Sequence, residues 1–168
     1  FCKIAGNLCK DSGKAGLRMQ VVFVSNYFNH HQLSFCDALY ELLEGSFCFL
    51  QTQPMEEERV KMGWQAEERP YVRYVQPDGT TTGGSEAFTA VTGWTPDEEI
   101  ADNEWQNLLL TADMVIFGGC DDESYIRERL AAGKPIFRYN ERLYKEGQWK
   151  AISPRGLLQK YKDHTRYR

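Results

Sequence analysis

Three short polar clusters carry the chemistry this chain can offer: Asn29-His30-His31, Gly118-Gly119 followed by Asp121-Asp122, and Arg138-Tyr139-Asn140-Glu141-Arg142. Imidazoles exchange protons near neutral pH and act as hydrogen-bond donors or acceptors. Successive helical residues point about 100° apart, so at most one of His30 and His31 faces a given ligand. The alternative is a capping asparagine followed by two solvent-facing histidines. Asp121 and Asp122 either satisfy amide groups at a helix start or accept hydrogen bonds from ligand hydroxyls, which the paired glycines would let close to the backbone. Glu141 is either a ligand contact or the ion-pair partner of Arg138 or Arg142. Mixed polar and aromatic surfaces of this kind suit carbohydrates.

Such clusters need elements that bring them together. Residues 19–25 read as a buried strand, and the turn Asn26-Tyr27-Phe28-Asn29 passes into a helix with Leu33, Cys36, Leu39 and Leu43 at helical spacing. Asn29 caps it with Gln32 in a looser capping box, and Gly45 closes it. Residues 46–52 and 71–75 are a second and third strand, separated by a polar, weakly helical stretch over 54–69. The turn-rich residues 76–94, with Pro77-Asp78-Gly79 and Gly83-Gly84, are expected to form a flexible surface insertion rather than core, the paired glycines being a turn.

Thr95-Pro96-Asp97-Glu98 combines a capping threonine, a first-turn proline and a glutamate three residues on. It predicts a helix from that point through Ile100, Trp105, Leu108 and Leu109. Residues 114–117 are a fourth strand, and Asp121 or Asp122 caps a helix through Tyr125, Ile126 and Leu130 that stops at Gly133. Residues 134–139 are a fifth strand, and Ser153-Pro154 opens a short helix with Leu157, Leu158 and Tyr161.

Strands alternating with helices, several of them continuous apolar runs, predict an α/β fold: a doubly wound, mostly parallel, Rossmann-like sheet between two helical layers. Such sheets bind ligands beyond the carboxyl ends of their strands, where the winding reverses. Residues 25–31, 118–122 and 138–142 should therefore meet.

The totals narrow the function. The 168 residues suffice for one domain with a core, and 42% apolar with 26% charged residues excludes a disordered chain. Residues 1–18 lack the apolar stretch of a secretory signal. The strand pattern begins at Met19, so 1–18 is expected to be a non-native or disordered extension, dispensable for function, and a cytoplasmic setting is expected. Five cysteines form no CxxC pair, so neither a metal site nor a disulfide framework is indicated. Of the net charge of −4, residues 150–168 hold six basic side chains and one acid, leaving −9 on residues 1–149. An acidic body disfavours nucleic acid as a partner, and the basic end suits a neighbouring domain or the periphery of a membrane. No GxGxxG follows a strand and no GxxxxGK[ST] loop occurs, which disfavours dinucleotide and P-loop chemistry. Ser25-Asn26-Tyr27 replaces the acidic pair of a phospho-receiver domain and lacks the phosphate loop of a flavodoxin.

Residues 21–32 (VVFVSNYFNHHQ), Val115-Ile116-Phe117-Gly118-Gly119 and Phe137-Arg138-Tyr139-Asn140-Glu141-Arg142-Leu143-Tyr144 together resemble the amino-terminal domain of bacterial GT-B-fold glycosyltransferases, the family 4-like group that assembles surface polysaccharides. The likeness covers residues 19–168 apart from the insertion. It implies a domain that holds the glycan acceptor, with a nucleotide-sugar donor as substrate in a carboxyl-terminal domain absent from this chain, and no bound cofactor or metal. It implies catalytic roles for His30 and Asp121, in positioning the acceptor hydroxyl or assisting its proton transfer. Asn29, His31, Gly118, Gly119, Asp122, Arg138, Asn140, Glu141 and Arg142 would contact substrate. On this reading the chain alone is inactive. The competing reading is a non-catalytic α/β module that binds a sugar or a protein through the same crevice.

Overall fold

The computed structural model describes residues 18–64, 67–84, 87–95, 97, 102–119, 123–139 and 153–165. Among them six strands, β1 (Val21–Ser25), β2 (Phe47–Gln51), β3 (Val72–Val75), β4 (Thr81–Thr82), β5 (Met114–Phe117) and β6 (Ile136–Arg138), form one sheet in the order β4-β3-β2-β1-β5-β6. Every pairing is parallel except that of β3 with β4. The helices are α1 (His30–Leu42), α2 (Glu57–Lys61), α3 (Ala87–Thr92), α4 (Glu104–Thr111), α5 (Ser124–Ala131) and α6 (Pro154–Thr165). None is long and apolar enough to cross a membrane.

β1 is the central strand and is buried throughout, as its unbroken run Val-Val-Phe-Val requires. Its alternate residues part into two clusters. Val21 and Phe23 join Phe47, Phe49, Tyr71 and Ile116, over which α1 lays Leu33, Cys36 and Leu39. Val22 and Val24 join Cys48, Leu50, Val115 and Phe117 beneath Leu108, Leu109, Tyr125 and Ile126 of α4 and α5. The α/β Rossmann-like reading therefore holds. The chain winds outward from β1 through β2 and β3, then crosses back to β5 and β6, so the winding reverses between β1 and β5.

The insertion departs from expectation at its end. Residues 76–84 are mostly exposed, as expected, with Gly79 N–H bonding to Gln76 O at 2.9 Å to close a turn that leads into β4 at the sheet edge, but the segment ends in the core. α3 then buries Phe88 to 3% and the chain buries Trp94 to 6%. The Trp94 indole donates to Thr111 Oγ1 at 2.9 Å, and Thr92 Oγ1 to Phe88 O at 2.7 Å. The glycines are there for turn geometry, as the positive φ of Gly79, Gly83 and Gly84 shows. The apolar residues Phe88 and Trp94 carry the packing.

The helix expected from Thr95 starts instead at Glu104, where Asn103 Oδ1 accepts Gln106 N–H at 3.2 Å. Tertiary ties fix that start: Glu104 accepts Thr81 N–H at 2.9 Å and pairs with Arg73 at 3.4 Å. Pro96 and residues 98–101 lie outside the described residues. α5 begins after Glu123, not after Asp121 or Asp122, and these two aspartates are outside the described residues, as are 1–17. Arg18, assigned to the extension by sequence, pairs with exposed Glu44. Ser153 opens α6 as expected, its Oγ accepting Gly156 N–H at 3.1 Å, and Leu157, Leu158 and Tyr161 are exposed.

Candidate functional site

At the reversal point, beyond the carboxyl ends of β1 and β5, lies a crevice of about 300 Å³. It sits at the lower end of the range for ligand pockets. Ser25, Asn26, Tyr27, Asn29, His31 and Gln32 line it from the β1 side, Gly118, Gly119 and Tyr139 from the β5–β6 side, and Arg59 and Trp64 from α2 and the turn after it.

The β1 side is locked by its own polar groups. Buried Ser25 donates from Oγ to Asn26 Oδ1 at 3.2 Å and accepts Gly119 N–H at 3.2 Å and Gln32 Nε2 at 3.4 Å. Asn29 and Gln32 form the expected capping box: Asn29 Oδ1 accepts His31 N–H at 2.9 Å, and Gln32 Oε1 accepts Asn29 N–H at 3.1 Å. Gln51, at the end of β2, accepts Phe28 N–H at 2.9 Å. A turn tied from three directions holds its side chains in place before any ligand arrives.

Aromatic rings form the other walls. The Arg59 guanidinium lies over the Tyr27 and Trp64 rings, 5.1 and 4.8 Å from their centroids, with Nε donating to Glu56 at 2.9 Å. That hydrogen bond raises the Arg59 pKa further. Trp64 meets the rings of His30 and His31 edge to face at 5.9 and 5.6 Å, and the two imidazoles are 3.9 Å apart. Tyr139 packs on Phe23 at 5.3 Å and stacks on Phe35 at 5.7 Å.

The sequence-derived site is thus partly assembled. Asn29, His31, Gly118 and Gly119 meet in one crevice, whereas His30 flanks Trp64 and does not line it. Arg138 lies in β6, one residue before Tyr139 and outside the lining set. Asp121, Asp122, Asn140, Glu141 and Arg142 fall outside the described residues. Ser25 and Tyr27 reach the crevice within the expected segment 25–31 but had no role assigned, whereas Arg59 and Trp64 come from outside every segment expected there. Only Trp64, a lone aromatic residue in the charged stretch over 54–69, gave a signal.

The paired glycines have a reason internal to the fold. A Cβ on Gly118 would stand 2.8 Å from the Phe23 ring and 3.0 Å from Ser25 Oγ, and one on Gly119 would stand 2.7 Å from Asn26 Oδ1. They admit the end of β1, not a ligand alone. Phe23 is wedged among Phe35, Phe49 and Tyr139 and cannot retreat freely. Gly118→Ala is therefore expected to cost about 1–3 kcal/mol in urea unfolding. A change of a few tenths would show that the two strand ends part without strain.

Thiol chemistry is disfavoured among the described residues. Burial, with Asp37 adding, pushes the Cys36 thiol up to about 12, and burial does the same for Cys48, so neither offers a thiolate at neutral pH. Compared with protein-family models, curated proteins and solved structures, the chain finds no match.

Proposed function

We propose that this chain is the acceptor-side domain of a GT-B-type glycosyltransferase and that the crevice between β1 and β5 holds one sugar unit of a glycan acceptor. The observation that carries the reading is the lining itself: neutral hydrogen-bonding groups (Ser25, Asn26, Asn29, Gln32) interleaved with aromatic faces (Tyr27, Trp64, Tyr139) at the reversal point of the sheet. Hydroxyl groups need the first, and the apolar faces of a pyranose pack on the second. On this reading His31, which lines the crevice, accepts a hydrogen bond from the acceptor hydroxyl, the role that the family resemblance implies for His30. The donor nucleotide-sugar belongs to a second, carboxyl-terminal domain, and a cytoplasmic setting is part of the same proposal.

The test is binding and transfer by the purified chain. Titration with mono- and oligosaccharides is expected to saturate, titration with UDP-glucose is not, and no sugar is transferred. Catalysis needs both substrates held in one geometry. Transfer at the rate of a complete glycosyltransferase would contradict the division of roles. Saccharide binding that never supports transfer, even with a donor-binding domain joined on, would favour a non-catalytic sugar-binding module.

A further inference from the structure

We infer that the sugar held in this crevice carries an oxyanion, phosphate or carboxylate, and that Arg59 binds it. The inference rests on the sugar-site reading above and adds the charge class of the ligand.

The chain is acidic overall, at −4, yet among the described residues that line the crevice the one formal charge is the guanidinium of Arg59, and no carboxylate lines it. Arginine keeps its proton under all ordinary conditions, so this guanidinium stays cationic, and its salt bridge to the exposed Glu56 carboxylate offsets only part of that charge. Its geometry is fixed from three sides. The guanidinium carbon lies over the Tyr27 and Trp64 rings, and Glu56, which does not line the crevice and whose side chain is 68% exposed, forms a salt bridge to Nε at 2.9 Å. Among the described residues Nη1 and Nη2 have no acceptor, which leaves the outer edge of the fork for two parallel bonds to an oxyanion. Only 31% of the Arg59 side chain remains exposed, so water supplies only part of its solvation.

A second feature favours the same sign. The thirteen-residue helix α1 enters the crevice amino end first, through Asn29, His31 and Gln32, and its first turn contains no acidic residue. The partial positive charge of the helix end is usually offset by a carboxylate there. Here the neutral Asn29 side chain caps the helix at His31 N–H, so the helix end carries no acidic counterpart and its field still favours an anion in the crevice.

Calorimetric titrations of the whole chain with glucose, glucose 1-phosphate, glucuronate and inorganic phosphate test this, with Arg59→Gln and Arg59→Lys alongside. At least one anionic sugar is expected to bind about tenfold or more tightly than glucose. The stronger of the two identifies phosphate or carboxylate as the group held. Arg59→Gln is expected to bring that ratio to about one, and Arg59→Lys to restore part of it. Equal affinities for glucose and both anionic sugars overturn the inference and leave the sugar site standing. A preference that survives Arg59→Gln also overturns it. Inorganic phosphate bound through Arg59 with no sugar bound would keep the anion site and remove the glycan reading. Binding of none of the four at millimolar concentration would remove both.

Discussion

Replacing Arg129 by methionine is expected to lower the unfolding free energy by about 3–5 kcal/mol, a large share of the roughly 5–15 kcal/mol that holds a domain together. Arg129 is 1% exposed, the largest fully buried side chain among the described residues. From α5 its Nη1 donates to Leu109 O at 2.7 Å and Ala112 O at 2.8 Å, and its Nη2 to Pro135 O at 3.0 Å and Asp113 O at 3.3 Å. Lys134 Nζ adds Thr111 O at 2.7 Å and Leu110 O at 3.0 Å. These carbonyls belong to the last turn of α4, the step into β5 and the entry to β6. A helix end leaves such groups without partners, and a cation there also meets the negative end of the helix. Burial lowers the Arg129 pKa to about 10, so the group is still charged at neutral pH.

Methionine fills the space and leaves the buried acceptors unpaired, which is why a shape-conserving change is costly here. Arg129→Lys retains a charge and three donors and is expected to recover part of the loss. Urea melts at pH 7 measure both. A loss below about 1 kcal/mol for Arg129→Met would mean that water reaches these carbonyls and that the clamp contributes little.

In an enzyme containing this domain, His31→Ala is expected to reduce sugar transfer about 10²-fold, and His30→Ala less than about tenfold. The two imidazoles are adjacent in sequence and 3.9 Å apart in space, yet only His31 lines the crevice. His30 supports it from behind, against Trp64. Both side chains are exposed, so neither change should move the melting temperature by more than a degree or two, and activity can be compared directly. Equal losses from both would mean that the pair works as a stacked unit. A larger loss from His30→Ala would return the catalytic role to the residue the sequence first suggested.

The contrast between these histidines shows where sequence reading ends. Strand β1, the Asn29–Gln32 capping box and the stop at Gly133 were legible because each follows from local pattern: an unbroken apolar run, a cap with its partner three residues on, a left-handed closing residue. Which of His30 and His31 enters the crevice depends on the rotation of α1 against β2, which packing against Phe47 and Phe49 decides. The end of the 76–94 segment enters the core against expectation because glycine and threonine mark turns as readily inside a fold as outside it, and Trp94 finds its partner, Thr111, seventeen residues away. Thr95-Pro96-Asp97-Glu98 is a sound local start signal overruled by Glu104, whose ties to Arg73 and Thr81 no local window contains. Arg59 and Trp64 reach the site from a stretch whose composition reads as a solvated face. Tyr139 lies in the polar cluster 138–142, where a ring that packs on Phe23 and Phe35 is indistinguishable by sequence from its charged neighbours.

The crevice as a sugar site is tested most directly by a chemical-shift titration of the isotope-labelled chain with the tightest-binding saccharide found by calorimetry. Saturable shifts are expected at the amides of Ser25, Asn26, His31 and Gly119 and at the Trp64 indole, with the exposed face of α6 around Leu157 and Leu158 unmoved. A saturable ligand whose shifts centre on α6 or on the amino ends of the strands, with Gly119 and Trp64 silent, would contradict the assignment.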